Sequence, residues 1–203
     1  MLQRMKIVLP ALALVLSAET FARGDDLTNV ALQWTPSVTI ADMGPLEVDG
    51  ALRITPIHFE AFTDQRQNPA LVGENKEDAA KVRPVTTSTN VATYLSTHMS
   101  ELAKASSLYV SDAPNALHLT AEVRRFVVTE TDSYRGQFSL LFHLRDVKGK
   151  EVWSGTISGG ALNFGRSYKA DNYVETMSNM VVQATYNLLA NSSLRDALEK
   201  LPH

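Results

Sequence analysis

Apolar residues along this chain change their rhythm several times, and each change predicts an element. Residues 116–131 alternate Leu117, Leu119, Ala121 and Val123 with polar neighbours, then shift phase so that Phe126 and Val128 follow. A period of two with one slip predicts a strand carrying a bulge at Arg124-Arg125. Residues 134–146 place Phe138, Leu140, Phe142 and Leu144 on one face. Val147-Lys148-Gly149-Lys150 reads as a hairpin turn, and 151–164 as the third strand of an antiparallel meander. Two stretches switch to a helical period. Residues 90–108 repeat Val91, Tyr94, Leu95, Met99, Leu102 and Ala105 after a run of capping candidates (Thr87 to Asn90), and 171–201 repeat Val174, Met177, Val181, Ala184 and Leu188. Asn191-Ser192-Ser193 predicts a break in the second helix, with a short final helix after it.

Before the first helix the rhythm is weaker. Residues 30–34 predict a short strand stopped by Pro36, and 51–62 a second strand with Pro56 at an edge or bulge. Residues 63–89 show no period and read as a long loop, a feature uncommon in compact domains and often functional. The expected architecture is α+β: two layers, an antiparallel sheet of about 4–5 strands, and two main helices on one face.

The extreme N-terminus has a different character. Arg4 and Lys6 precede an uncharged apolar run at 7–18, and Thr20-Phe21-Ala22 offers small residues for cleavage after Ala22. That order predicts a secretory signal peptide at 1–22, followed by one domain over 23–203. The run is far shorter than the roughly 20 residues that span a bilayer, and no later segment is long and apolar enough. The expectation is an exported, periplasmic chain with no transmembrane segment.

Composition narrows the chemistry. Cys is 0, which excludes disulfides, thiolate metal sites and a thiol nucleophile. Lys+Arg 19 against Asp+Glu 22 gives a net charge of -3, which argues against nucleic acid as a partner. There is no Gly-x-Ser-x-Gly elbow, no phosphate-binding loop and no His-Glu-x-x-His. His98 and Glu101 share a helix face, and His118 and His143 fall on the solvent phase of their strands, so none builds a metal site; no cofactor is expected. Arg124, Arg125, Arg135 and Arg145 interleave with Glu122, Glu130, Asp132 and Asp146, which predicts salt pairing across a wet sheet face. Trp153, just after the hairpin turn, is expected to be core.

Two polar segments remain as candidate binding surface. In 62–75, Asp64 can accept local N–H groups and pair with Arg66, and Glu74 and Asn75 follow. In 159–175, Arg166, Tyr168, Lys169 and Tyr173 lead into a helix N-terminus, where orphan N–H groups can hold an anion or a peptide backbone. Charge complementarity predicts that the segments meet, with Asp64 or Glu74 facing Arg166 or Lys169.

FTDQRQNPALVGEN, DVKGKEVWSG and FGRSYKADNYVET together resemble the uncharacterised bacterial envelope lipoproteins of the YajG type. The resemblance covers about residues 30–200 and implies an α+β envelope protein with no established activity. The chain departs from that family in lacking a lipobox cysteine. The expected function is a soluble periplasmic, non-enzymatic binding or interaction protein whose partner is an envelope protein or cell-wall component. The alternative is a periplasmic hydrolase or small-ligand carrier using 62–75 and 159–175. Oligomeric state is left open.

Overall fold

A computed structural model describes residues 26–165 and 167–201. The expected signal peptide, its cleavage point near Ala22, and Arg166 lie outside the described residues. The meander forms as its alternation predicts: β5 (Leu117–Glu130), β6 (Ser133–Arg145) and β7 (Glu151–Phe164) pair antiparallel in sequence order. The register slips between Val123 and Arg125, where the adjacent arginines had marked a bulge. Phe126, Phe138, Leu140, Phe142 and Leu144 face the helices and are buried.

The sheet is larger than the sequence suggested, and it is mixed. It has seven strands, in the order β4-β3-β5-β6-β7, with two further short strands on β5. Three pieces tile the other edge of β5, all parallel to it: β1 (Ile57–Phe59) beside Leu117 to Leu119, β2 (Thr63–Asp64) beside Glu122-Val123, and β3 (Leu71–Asn75) beside Val128 to Glu130. β4 (Arg83–Thr86) pairs antiparallel with β3. The predicted 63–89 loop therefore contains three strands, each too short to show alternation. The expected strand over 51–62 is instead a one-turn helix, α1 (Gly50–Ile54), followed by β1.

Residues 30–34 are not a strand. They belong to an extended strap that crosses the helix layer, and its backbone is satisfied by helix side chains: Thr35 N–H donates to Ser178 Oγ at 3.1 Å and Ser37 N–H to Asn179 Oδ1 at 2.9 Å. At its start, Val30 N–H donates to the Thr86 carbonyl and Thr86 N–H to the Leu27 carbonyl, which covers the outer edge of β4.

The helices stop where their caps stand. Asn90 Oδ1 accepts the Thr93 N–H at 2.9 Å to open α2 (Val91–Ala105). Asn191 does the same for Leu194 and divides α3 (Ala170–Leu189) from α4 (Ser192–Glu199). α3 is buried between sheet and strap, so its polar residues need internal partners. Ser178, Thr185 and Thr176 each donate to the carbonyl four residues back. Close approach of α3 to β6 requires Gly136, where a Cβ would stand 2.6 Å from Met180 Sδ. Trp153 is 7% exposed, and its Nε1–H donates to Ser193 Oγ of α4 at 2.9 Å, so the ring belongs to the core.

Candidate functional site

β4 begins, β3 and β5 end, β6 begins and β7 ends on one side of the molecule. Residues 167–169 lie across that end and reach β4 through Tyr168. Their fastening point is Glu130, the last residue of β5, which is fully buried. Two successive backbone groups, Ser167 N–H and Tyr168 N–H, donate to one carboxylate oxygen at 2.8 and 2.9 Å. Tyr173 O–H donates to the other at 2.8 Å. Burial pushes this carboxyl up, but the Tyr168 N–H and the Asn75, Tyr173 and Tyr134 side chains favour the ionised form more strongly and hold it below the ordinary range. Burial and the bond to Glu130 push the Tyr173 hydroxyl up, so it stays a donor.

A second tier closes around the first. Tyr134 O–H lies 3.3 Å from Ser167 Oγ, and Asn172 Nδ2 donates to both Tyr134 and Ser167. Tyr168 has φ 44, an unusual conformation for a large side chain, and its contacts explain how it is held. Its hydroxyl accepts from Leu27 N–H at 3.1 Å and donates to the Pro84 carbonyl, while the Arg83 guanidinium lies 3.6 Å above its ring.

Two backbone N–H groups ahead of α3 do hold an anion, and it is the protein's own Glu130. The sequence had placed Glu130 on the wet face among the arginines. The structure turns it inward, because the bulge resets the phase so that Phe126, Val128 and Glu130 share the helix side. On the wet face Arg124 pairs with Glu122, and Arg135 lies 3.8 Å from Asp132. A charged residue at an apolar phase was the one signal available.

The other candidates divide. Asn75 is buried beside Glu130, and Gly73 lies flat under Tyr173, where a Cβ would meet the ring at 2.7 Å. The two polar segments thus do meet, through Asn75, Tyr168 and Tyr173. Asp64 and Arg66 lie elsewhere, beside Val123 and Phe126, roughly 13–23 Å of strand back along β5 from Glu130. Arg66 donates to both carboxylate oxygens of Asp64 and to the carbonyls of Pro69, Leu71 and Phe126. Glu74 pairs with Lys76 at 2.6 Å. Each carboxylate has a local cation, so among the described residues the expected cross-segment ion pair does not form. Lys169 is exposed at the start of α3.

Residues the sequence did not single out complete the surface. Phe164, the last residue of β7, is 90% exposed, and Leu162 on the same outer face is 50% exposed. Among the described residues no group of three or more His, Asp or Glu is placed to hold a metal ion, and no helix is long and apolar enough to cross a membrane.

No protein-family model and no curated protein matches the chain. Solved structures do. Protein XCC0632 from Xanthomonas campestris, whose name carries the family designation DUF330, matches with TM-score 0.50 and 12% identity over 70% of this chain and 87% of that one. PelC from Paraburkholderia phytofirmans, solved as a dodecamer, matches with TM-score 0.41 and 12% identity over 73% of this chain and 95% of that one. Lipoprotein GNA1162 from Neisseria meningitidis matches with TM-score 0.34 and 16% identity over 68% of this chain and 99% of that one. The first match shares the fold.

Proposed function

We propose that the chain is a non-enzymatic interaction protein of the bacterial envelope, of the YajG type, exported to the periplasm. Its binding surface is the end of the sheet where β7 ends and residues 167–169 lie. The observation that carries this reading is Phe164, 90% exposed beside a loop clamped from beneath by Glu130. Exposed apolar groups on a pre-organised backbone favour docking, since little ordering entropy is lost on contact. The polar groups that could do chemistry there are spent holding the loop: Glu130 accepts three donors, and Tyr134, Tyr168 and Tyr173 each hydrogen-bond within the cluster. Lys169, exposed beside this surface, offers a charge at its rim.

One observation favours the small-ligand carrier instead. A groove of about 770 Å³ lies between the strap and the C-terminal half of α2, lined by Ile40, Pro45, Leu46 and Leu102. It is at the far end of α2 from the Asn90 cap, away from both polar segments.

The test is crosslinking in living cells with a photoreactive residue at position 164, and at Val147 on the opposite end of the sheet as control. A discrete envelope product at 164 and none at 147 supports the reading. Equal labelling at both positions, or none at either, removes it.

A further inference from the structure

We propose that the free edge of β7 pairs with β7 of a second copy of this chain, antiparallel about a two-fold axis, so that two sheets join into one. The proposal rests on the reading above that Phe164 belongs to a binding surface, and it names a partner for that surface.

The two outer edges of the sheet are treated differently. The β4 edge is covered by the strap, where Val30 and Leu27 bond to Thr86. β7 is the last strand on the other side, and among the described residues no strand lies beyond it. Its 14 residues hold one charge, Glu151, and neither lysine nor proline, the residues that commonly blunt an edge. The Ser158 carbonyl points to this edge, where Asn187 Nδ2 of α3 donates to it at 3.1 Å. By the alternation of an antiparallel ladder, Ser154, Thr156, Gly160 and Leu162 direct their N–H and C=O groups the same way. Among the described residues Asn187 is the one group from another element that bonds to this row. A carbonyl has two lone pairs, so that bond does not bar a neighbouring strand.

The order of residues along the edge favours a second copy over a foreign strand. On the face opposite the helices, β7 begins with the small Ser154, Thr156 and Ser158 and ends with Leu162, 50% exposed, and Phe164, 90% exposed. Antiparallel self-pairing centred on Gly159 sets Phe164 of each copy beside Ser154 of the other, Leu162 beside Thr156, and Ser158 beside Gly160. Large groups meet small ones, and no two large ones collide. Gly159 sits on the axis and sends no side chain into the helix layer, where a Cβ would stand 3.0 Å from Asn187 Nδ2. The charges agree. No charge lies within 154–164, and the two Glu151 carboxylates end about 50 Å apart.

Size sets the strength. The seam over 154–164 is about 36 Å long and a sheet is about 10 Å thick, so the strands cover about 700 Å² over both copies. Each Phe164 ring adds about 150 Å². The total of about 1,000 Å² is where specific interfaces begin, which predicts a weak dimer with a Kd of about 10 µM or above.

Sedimentation of the chain purified from the producing cell, from about 1 to 200 µM, tests this. The expected result is a mass that doubles with concentration and does so equally in low and high salt. Phe164→Glu, at a side chain 90% in water, should leave unfolding unchanged and weaken the dimer about 10-fold or more. The chain has no cysteine, so Ser158→Cys and Val147→Cys each place a single nitroxide label. The 158 labels should broaden one another's spectra strongly in the dimer, and the 147 labels, more than about 50 Å apart, should not. A chain that stays monomeric at about 200 µM overturns the proposal. So does a dimer that Phe164→Glu leaves intact, one whose labels couple at 147, or an assembly larger than two, since two-fold pairing uses up the edge. A monomer that still crosslinks at 164 to a different envelope protein removes the second copy and leaves the interaction surface standing.

Discussion

Asp64–Arg66 and the Glu130 cluster both fasten irregular chain to β5, but by opposite means. Asp64 finds its cation two residues away, and Arg66 spends its remaining donors on three carbonyls, two of them in the same turn. Their side chains are 15% and 7% exposed, so the pair is a dry knot tied within 64–71, with Arg66 reaching β5 at the Phe126 carbonyl. Glu130 gathers donors 37 to 43 residues further on and ties the sheet to the start of α3. In the first case a cation satisfies carbonyls. In the second an anion satisfies two backbone N–H groups in the turn just ahead of a helix. A local pair fastens a loop, whereas a long-range one fastens layers and shapes the surface above them.

The comparison breaks most visibly at Glu130. Glu130→Ala should cost about 3–5 kcal/mol, because the Tyr168 N–H and the Tyr173 hydroxyl lose their acceptor, each worth roughly 1–3 kcal/mol when left buried and unpaired, while the Ser167 N–H keeps only its bond to Tyr134. Chemical denaturation measures it. A loss below about 1 kcal/mol would mean that the second tier around Tyr134 and Asn172 holds the loop alone.

Glu130→Gln separates charge from shape. In the folded protein the Glu130 carboxyl titrates below its ordinary value of 4.5. A lowered folded pKa gives stability that is complete above the unfolded value and is lost as pH falls through the folded one. Wild-type stability should therefore decline below about pH 4.5, and Glu130→Gln should flatten that limb while costing roughly 1–2 kcal/mol at neutral pH for the weaker hydrogen bonds. Stability curves of the two proteins that run parallel from pH 7 to pH 3 would place the acid sensitivity elsewhere.

Arg66→Lys sharpens the other side. Lysine keeps the charge for Asp64 but cannot reproduce the planar fork, so the Leu71, Pro69 and Phe126 carbonyls go short. The expected loss is about 2 kcal/mol. Its signature should be local: faster amide exchange within 64–71, with 165–173 unchanged. Spread of the exchange into 165–173 would show that the two centres are coupled.

The same contrast explains what could be read in advance. β5, β6, β7, α2 and α3 are long enough for their periods to show, and the slip at Arg124-Arg125 and the break at Asn191 were visible as local exceptions. β1 to β4 were not, because strands of two to five residues owe their existence to the waiting edge of β5. The strap at 30–37 alternates in exposure like a strand, but its partners are Ser178 and Asn179 side chains on α3, which no local pattern predicts. Asp64–Arg66 was legible because both partners lie in one turn. Glu130 was misread because polarity argued for water while phase argued for the core. Phase prevailed, since the three donors that make burial tolerable are all distant in sequence.

A third carboxylate sets the lower bound of the series. Glu74 lies one residue from the buried Asn75, yet its partner Lys76 is local and both side chains reach water, at 28% and 43% exposure. Solvent screens such a pair, and holding two long side chains together costs entropy. Glu74→Gln should therefore change stability by no more than about 1 kcal/mol, and the difference should shrink in 1 M salt, where the Debye length falls to about 3 Å. The decisive measurement is the salt dependence. If Glu74→Gln costs as much as Glu130→Gln and the cost persists in high salt, then the negative charge of β3 helps hold 165–169 down. Layer fastening would then be a property of the whole end of the sheet and not of Glu130 alone.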